Sequence, residues 1–233
     1  MRAALGKGWQ IPNFNEEKMN SNKVKKIYEL LAKAIPNPKS ELIFHSNFEL
    51  LIAVLLSAHT TDKTTNKVTA ELFPVANTPE KMLKLGEKKI KSYIKPIGLY
   101  NAKAENIIKT CAILVNQYKG RIPNSREILE SLPGVGRKTS NVILNVAFGK
   151  ETIAVDTHIF RVANRTKIAP GKNPLEIEEK LLQVTPKKFL KDAHYLLLLH
   201  GRYTCKARLP LCPICPINKF CEYDKKTQES IIK

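Results

Sequence analysis

The chain has 233 residues, 43% of them hydrophobic, which suffices for one large or two small domains around an apolar core. Lysine and arginine outnumber aspartate and glutamate 39 to 21, and the resulting charge of +18 calls for a polyanionic partner, with nucleic acid first among them. No apolar run reaches the about 18 residues of a membrane span, no basic amphipathic helix suits an anionic membrane surface, and no apolar h-region marks a secretory signal.

Residues 1–18, with Gly6, Gly8, Trp9 and Pro12, read as a disordered extension or an expression remnant. From Met19 the spacing of Val24, Ile27, Leu30, Leu31 and Ala34 predicts a helix ended by Pro36 and Pro38. Ser46-Asn47-Phe48-Glu49 forms a capping box that opens Leu50 to Leu56, apolar all round and therefore a central buried helix. A polar loop, Ser57 to Asp62, follows and carries His59. Further helices are predicted from Lys63 to Leu72, from Thr78-Pro79 to Gly86, and from Lys88 to Ile94 before Pro96 and Gly98. Asn101 to Tyr118 is a longer amphipathic helix stopped by Gly120, with Cys111 as an inert residue of its apolar face.

Ser125 to Ser131 predicts a short helix, Pro133-Gly134-Val135-Gly136 a turn in which both glycines take positive φ, and the apolar run to Phe148 a second helix ended by Gly149. Backbone N–H groups at such a hairpin, with Arg137 and Lys138 in the first helical turn, suit one phosphate of a nucleic acid backbone. A cation there opposes the helix dipole by roughly 0.3–1 kcal/mol. Lys138 therefore either neutralises phosphate or acts as a nucleophile; the second role requires partial burial and neighbouring charge to lower a pKa of about 10.4.

Thr152 to Val155 leads as an extended segment to Asp156, which stands at the N-cap of an amphipathic helix; capping by itself would explain it. Asn173-Pro174 opens a helix to about Val184, and Pro186 another to His200, stopped by Gly201. No strand, repeat or low-complexity tract is evident, so the expected fold class is all-α.

Cys205, Cys212, Cys215 and Cys221 follow a C-x6-C-x2-C-x5-C spacing with Pro210, Pro213 and Pro216 between them. Four thiols from one tight loop suit a cubane iron–sulfur cluster better than zinc, which usually joins two separated pairs; zinc and a disulfide remain the alternatives. Crowded cysteines of this kind point to a reducing, cytoplasmic setting. The basic loop between the first two, Lys206-Ala207-Arg208, would be held toward DNA.

The segment Leu132 to Thr139, the Val155-Asp156-Thr157-His158 step, the cysteine spacing and the charge together resemble the endonuclease III family of DNA glycosylases with AP-lyase activity. The resemblance runs from Met19 to about Tyr223 and includes Ile97-Gly98-Leu99-Tyr100 and His200 to Cys205. It implies a helix-hairpin-helix DNA glycosylase fold with a six-helix barrel over residues 41–150, and a [4Fe-4S] cluster domain formed by residues 19–40 and 151–233. It further implies Lys138 as nucleophile, Asp156 as its assisting carboxylate, and Cys205, Cys212, Cys215 and Cys221 as cluster ligands. Gly134, Val135, Gly136, Arg137, His59, Leu99, Lys206 and Arg208 would contact DNA. His59 stands where the family carries a gap-filling glutamine, and Leu209 where close relatives often carry a base. The implied partner is double-stranded DNA with damaged pyrimidines or abasic sites, bound by a monomer in the bacterial cytoplasm at the nucleoid.

Two alternatives compete. The adenine glycosylase branch resembles the hairpin, aspartate and cluster but lacks the hairpin lysine and has a long extra C-terminal domain. A non-catalytic or redox-sensing DNA-binding module would use the hairpin only as a phosphate clamp.

Overall fold

A computed structural model describes residues 14–228 of the chain, with side chains from residue 21. The expectation for residues 1–13 falls outside that range. Among the described residues there are helices and no strands, and no helix is long and apolar enough to cross a membrane.

Most helices begin where a short polar side chain meets an apolar run. Ser46, Thr61, Thr78, Ser125, Asp156 and Asn173 each accept a first-turn N–H and so cap α2 (Asn47–Ser57), α3 (Asp62–Leu72), α4 (Pro79–Leu85), α7 (Arg126–Ser131), α9 (Thr157–Thr166) and α10 (Pro174–Val184). Each cap contributes about 1 kcal/mol. The capping box before α2 closes differently from the simple pattern: the Glu49 carboxylate accepts the N–H of His45 at 2.6 Å, one residue further back than Ser46. The remaining helices are α1 (Phe14–Ala34), α5 (Glu87–Ile94), α6 (Tyr100–Tyr118), α8 (Arg137–Phe148) and α11 (Leu190–Tyr203). The first starts ahead of Met19, because its opening residues carry no apolar stripe to reveal it.

Two apolar cores result. One is built from α2 to α8, with Leu50, Leu51, Ile52 and Leu56 fully buried at its centre; Ala154 joins it. The other gathers Val24, Ile27, Tyr28 and Leu31 of α1 with residues of α9, α10 and α11 and with Ile153, Val155 and Ile217. Tyr28 stacks on Phe189 with 5.6 Å between ring centroids, and its hydroxyl is hydrogen-bonded to Thr185 at 2.9 Å. The segment Thr152 to Val155 passes from one core to the other.

Gly201 does not stop the last helix, as its type suggested; α11 continues to Tyr203. A Cβ at Gly201 would lie 2.9 Å from the Cβ of His158. The glycine is there for close approach of α11 to α9, not for termination.

Candidate active site and cysteine cavity

The hairpin between α7 and α8 is shaped by one glycine and left open by the other. Gly134 takes φ +78°, and a Cβ there would strike Asn106 of α6 at 2.9 Å. Gly136, expected to share the positive φ, is extended instead, with φ −98° and ψ −179°. A Cβ on Gly136 would meet no protein atom within 4 Å, so its smallness serves whatever approaches the hairpin from outside. Val135 is buried, and its N–H donates to the Leu132 carbonyl at 3.0 Å. It holds the turn from within.

α8 has no side-chain cap, so the N–H groups of its first turn point outward without helical acceptors. Lys138 in that turn is exposed, not partly buried as a nucleophile reading anticipated. Arg137 is committed elsewhere: its Nε and Nη2 donate to the two oxygens of buried Glu178 on α10 at 2.9 and 3.0 Å. Arg126 reaches the same carboxylate at 3.5 Å. The bidentate pair joins the hairpin to the second core, and a buried carboxylate requires such partners.

Asp156 caps α9 through a single oxygen. Its Oδ1 accepts the N–H groups of His158 at 2.9 Å and Ile159 at 2.8 Å, and Oδ2 takes no part in that cap. Two asparagines inside α8 place this residue relative to Lys138. Asn145 Nδ2 donates to the carbonyls of Lys150, Thr152 and Lys191 at 3.0–3.3 Å. The Thr152 hydroxyl donates to the Asn141 carbonyl at 2.7 Å. The helix that begins with Lys138 is thereby stitched to the segment that delivers Asp156. The Asn141 amide also donates to the Ile153 carbonyl at 3.4 Å; two amides at i, i+4, one before and one within the apolar run, were the available signal.

Lys138 and Asp156 line one cleft of about 700 Å³, together with His59, His158, His194 and Tyr195. That volume lies within the range of about 300–1,000 Å³ usual for small-molecule sites. His194 is buried and its Nδ1 has no partner. Burial lowers its pKa to about 4, with nearby Asp156 raising it and Lys138 lowering it, so the ring is neutral at pH 7. His59, at φ +58°, lines the cleft and is exposed, and Leu99, at φ +59°, is exposed on a loop whose Gly98 lies near the His59 carbonyl.

The four cysteines line a second cavity, distinct from the cleft, with Arg165 and His200. Among the described residues no three histidine, cysteine or acidic side chains are placed to hold a single metal ion. Arg165 Nη1 lies 3.4 Å from Cys205 Sγ, and the same guanidinium donates to the carbonyls of Lys206 and Ala207 at 2.7 and 3.0 Å. Arg161 Nε donates to the Cys205 carbonyl at 2.9 Å. These two arginines, one helical turn apart on α9, fix the first cysteine and the basic loop; sequence reading passed over them. Lys206 and Arg208 are exposed on that loop, away from the cleft. Burial pushes the Cys215 thiol to about 11 and raises that of Cys221. A bound positive centre would favour their thiolates.

Residues 52–187 match the family model of the HhH-GPD superfamily base excision DNA repair protein. The chain is 61% identical to endonuclease III of Escherichia coli strain K12 over 208 residues, which cover 89% of this chain and 99% of the relative. Endonuclease III of Haemophilus influenzae is 58% identical over 90% of this chain and its own full length. Among solved structures, a trapped endonuclease III–DNA covalent intermediate, an estranged-adenine complex, superposes with a TM-score of 0.82 at 42% identity, covering 86% of this chain and 95% of that one. A thermostable thymine-DNA glycosylase superposes with a TM-score of 0.76 at 26% identity, over 90% of this chain and 97% of its own. With these relatives matched over nearly their full length, the chain belongs to the endonuclease III family, the DNA glycosylases and AP lyases of base excision repair.

Proposed function

We propose that Lys138 is the nucleophile and Asp156 the charge-stabilising carboxylate of a bifunctional enzyme that removes oxidised pyrimidines from double-stranded DNA and cuts the strand 3′ to the resulting abasic site. The observation that carries this reading is the convergence of the two residues on one cleft from the N-termini of α8 and α9.

Departure of the damaged base builds positive charge on the deoxyribose, which the carboxylate of Asp156 stabilises. The neutral amine of Lys138 forms a bond to C1′ as the C1′–N bond to the base breaks. Opening of the sugar ring leaves a Schiff base on the lysine. That cationic imine acidifies C2′; loss of a C2′ proton then expels the 3′ phosphate by β-elimination. Asp156 can serve the sugar and the helix together, since only Oδ1 is used by the cap.

The hairpin amides at Gly134, Gly136 and Arg137 hold a backbone phosphate, with Val135 shaping the turn and Lys206 and Arg208 adding phosphate contacts from the cysteine loop. Arg137 contributes its backbone more than its guanidinium, which Glu178 holds. Extrusion of the base costs a few kcal/mol and least for a damaged one; His59 and Leu99 fill the space it leaves.

Cys205, Cys212, Cys215 and Cys221 would hold a [4Fe-4S] cluster. The four line one cavity from a single tight loop, a donor set that suits a cubane cluster better than a zinc site, which usually joins two separated pairs. The cluster would supply a fixed electrostatic and structural centre, with Arg161 and Arg165 relaying its position to the basic loop. The two apolar cores correspond on this reading to two domains, residues 41–150 and residues 19–40 with 151 onward, in a monomer that acts on DNA in the bacterial cytoplasm at the nucleoid.

Single-turnover cleavage of one duplex containing an oxidised pyrimidine, its undamaged counterpart and an abasic counterpart tests the proposal. Base loss and strand scission on the first and scission on the third are expected; scission of the abasic duplex without loss of the oxidised pyrimidine would overturn the assigned substrate.

A further inference from the structure

We propose that Lys103 is a positioning residue that locks the loops of His59 and Leu99 against each other, so that both side chains stand ready to enter DNA as one wedge. The inference rests on the reading above that His59 and Leu99 fill the space left by the extruded base.

Lys103 lies in the second turn of α6 and is only 9% exposed. Its ammonium donates to the carbonyl of Leu56 at 2.9 Å and to that of Ala58 at 2.5 Å. Both acceptors belong to the end of α2, where carbonyls lack helical partners and the dipole favours a cation. The second of them precedes His59 directly. The backbone N–H of Lys103 donates to the Leu99 carbonyl at 3.0 Å. One residue therefore grips the start of one loop with its side chain and the end of the other with its main chain.

What it grips is strained. His59 and Leu99 are non-glycine residues in the left-handed region, and the larger of them, Leu99, is 69% exposed. Such conformations persist only where the surroundings over-determine them. The loops are neighbours at Gly98, where a Cβ would lie at ordinary contact distance, 3.7 Å, from the His59 carbonyl oxygen. Among the described residues the partners of Lys103 are carbonyls, and burial lowers its pKa. The ammonium donates to both carbonyls at once, which an apolar side chain filling the same space would leave without that partner. Its charge matches the one task of holding two carbonyls in a fixed place beneath exposed side chains.

Single-stranded abasic DNA offers no stack to enter, which separates positioning from structure. Lys103→Met is expected to slow single-turnover base removal from an oxidised-pyrimidine duplex by about tenfold or more, as misplacement of a positioning group does. Scission of single-stranded abasic DNA should stay within about twofold of the unmodified protein, the spread left when no positioned contact is lost. A parallel loss on both substrates, or no loss on the duplex, overturns the proposal. Should Lys103→Met not fold, Lys103→Gln keeps a neutral donor and is expected to show a smaller loss confined to the duplex; equal losses on both substrates overturn the proposal in the same way. A His59→Ala/Leu99→Ala double variant tests the wedge reading by itself. If that variant removes bases from the duplex at the unmodified rate, the wedge reading fails and this inference with it. If it slows and Lys103→Met does not, this inference alone fails.

Discussion

Two helix N-termini face the cleft with opposite charges, and they differ in how well their own helices are served. At α9, Asp156 accepts two first-turn N–H groups, so the carboxylate sits where the dipole favours it. At α8 no side chain caps the helix, and Lys138 sits where the dipole opposes it. The first residue would be worth keeping in a protein with no activity at all. The second would not, and a residue placed against its local electrostatics is the clearer sign of function. The comparison also assigns labour: α9 offers a carboxylate already held rigid, while α8 offers free amides to a phosphate and an exposed amine beside them.

The contrast breaks first at the lysine. Lys138→Gln should lower scission of an abasic duplex by about 10³-fold or more, the scale expected when a covalent catalyst is removed, measured under single-turnover conditions. Asp156→Asn keeps a capping side chain and loses the charge; base removal should fall by about 10²–10³-fold, as for loss of one preorganised electrostatic contact. Comparable rates for Asp156→Asn and the unmodified protein would leave Asp156 with only its cap.

Beneath both tips lies His194, which binds a proton less readily in the native protein than in the unfolded chain because burial lowers its pKa from 6.5 to about 4. The sign follows from linkage: the stabilisation is complete above 6.5 and is lost as the pH falls toward 4. The loss should be on the order of 2–3 kcal/mol, read as urea midpoints across that range, and His194→Gln should flatten the curve. An unaltered slope in the variant would contradict a neutral buried ring.

The smallest effects separate the tips most cleanly. Asp156→Ala should destabilise the protein by about 1 kcal/mol through loss of the cap, whereas Lys138→Gln should stabilise it by about 0.3–1 kcal/mol by relieving the dipole. Thermal melting in low salt distinguishes the two signs.

Most helices were legible because their ends are written locally. Ser46, Thr78, Ser125 and Asn173 announce caps, and Gly149 takes the φ of +65° that its position after α8 implied. Lys138, Asp156 and the four cysteines stood out by residue type and spacing, and the structure brings the first two to one cleft and the cysteines to one cavity. What escaped were contacts made across the fold. Nothing near Arg137 announces Glu178, which lies on another helix and takes up its guanidinium. Nothing within α6 announces that the ammonium of Lys103 meets the carbonyls at the end of α2. Gly136 and Gly201 differ from expectation because glycine can mark an unusual φ, a close approach or neither, and sequence does not say which. Gly201 meets His158, while Gly136 faces open space.

Lys138 on this reading is present for chemistry at the expense of its helix. Borohydride reduction during reaction with a duplex containing an oxidised pyrimidine, run on the unmodified protein and on Lys138→Gln beside a melting curve of each, tests it most directly. The unmodified protein should form a covalent protein–DNA complex, and Lys138→Gln should form none while melting at the same or a higher temperature. A covalent complex that persists in Lys138→Gln would contradict the account.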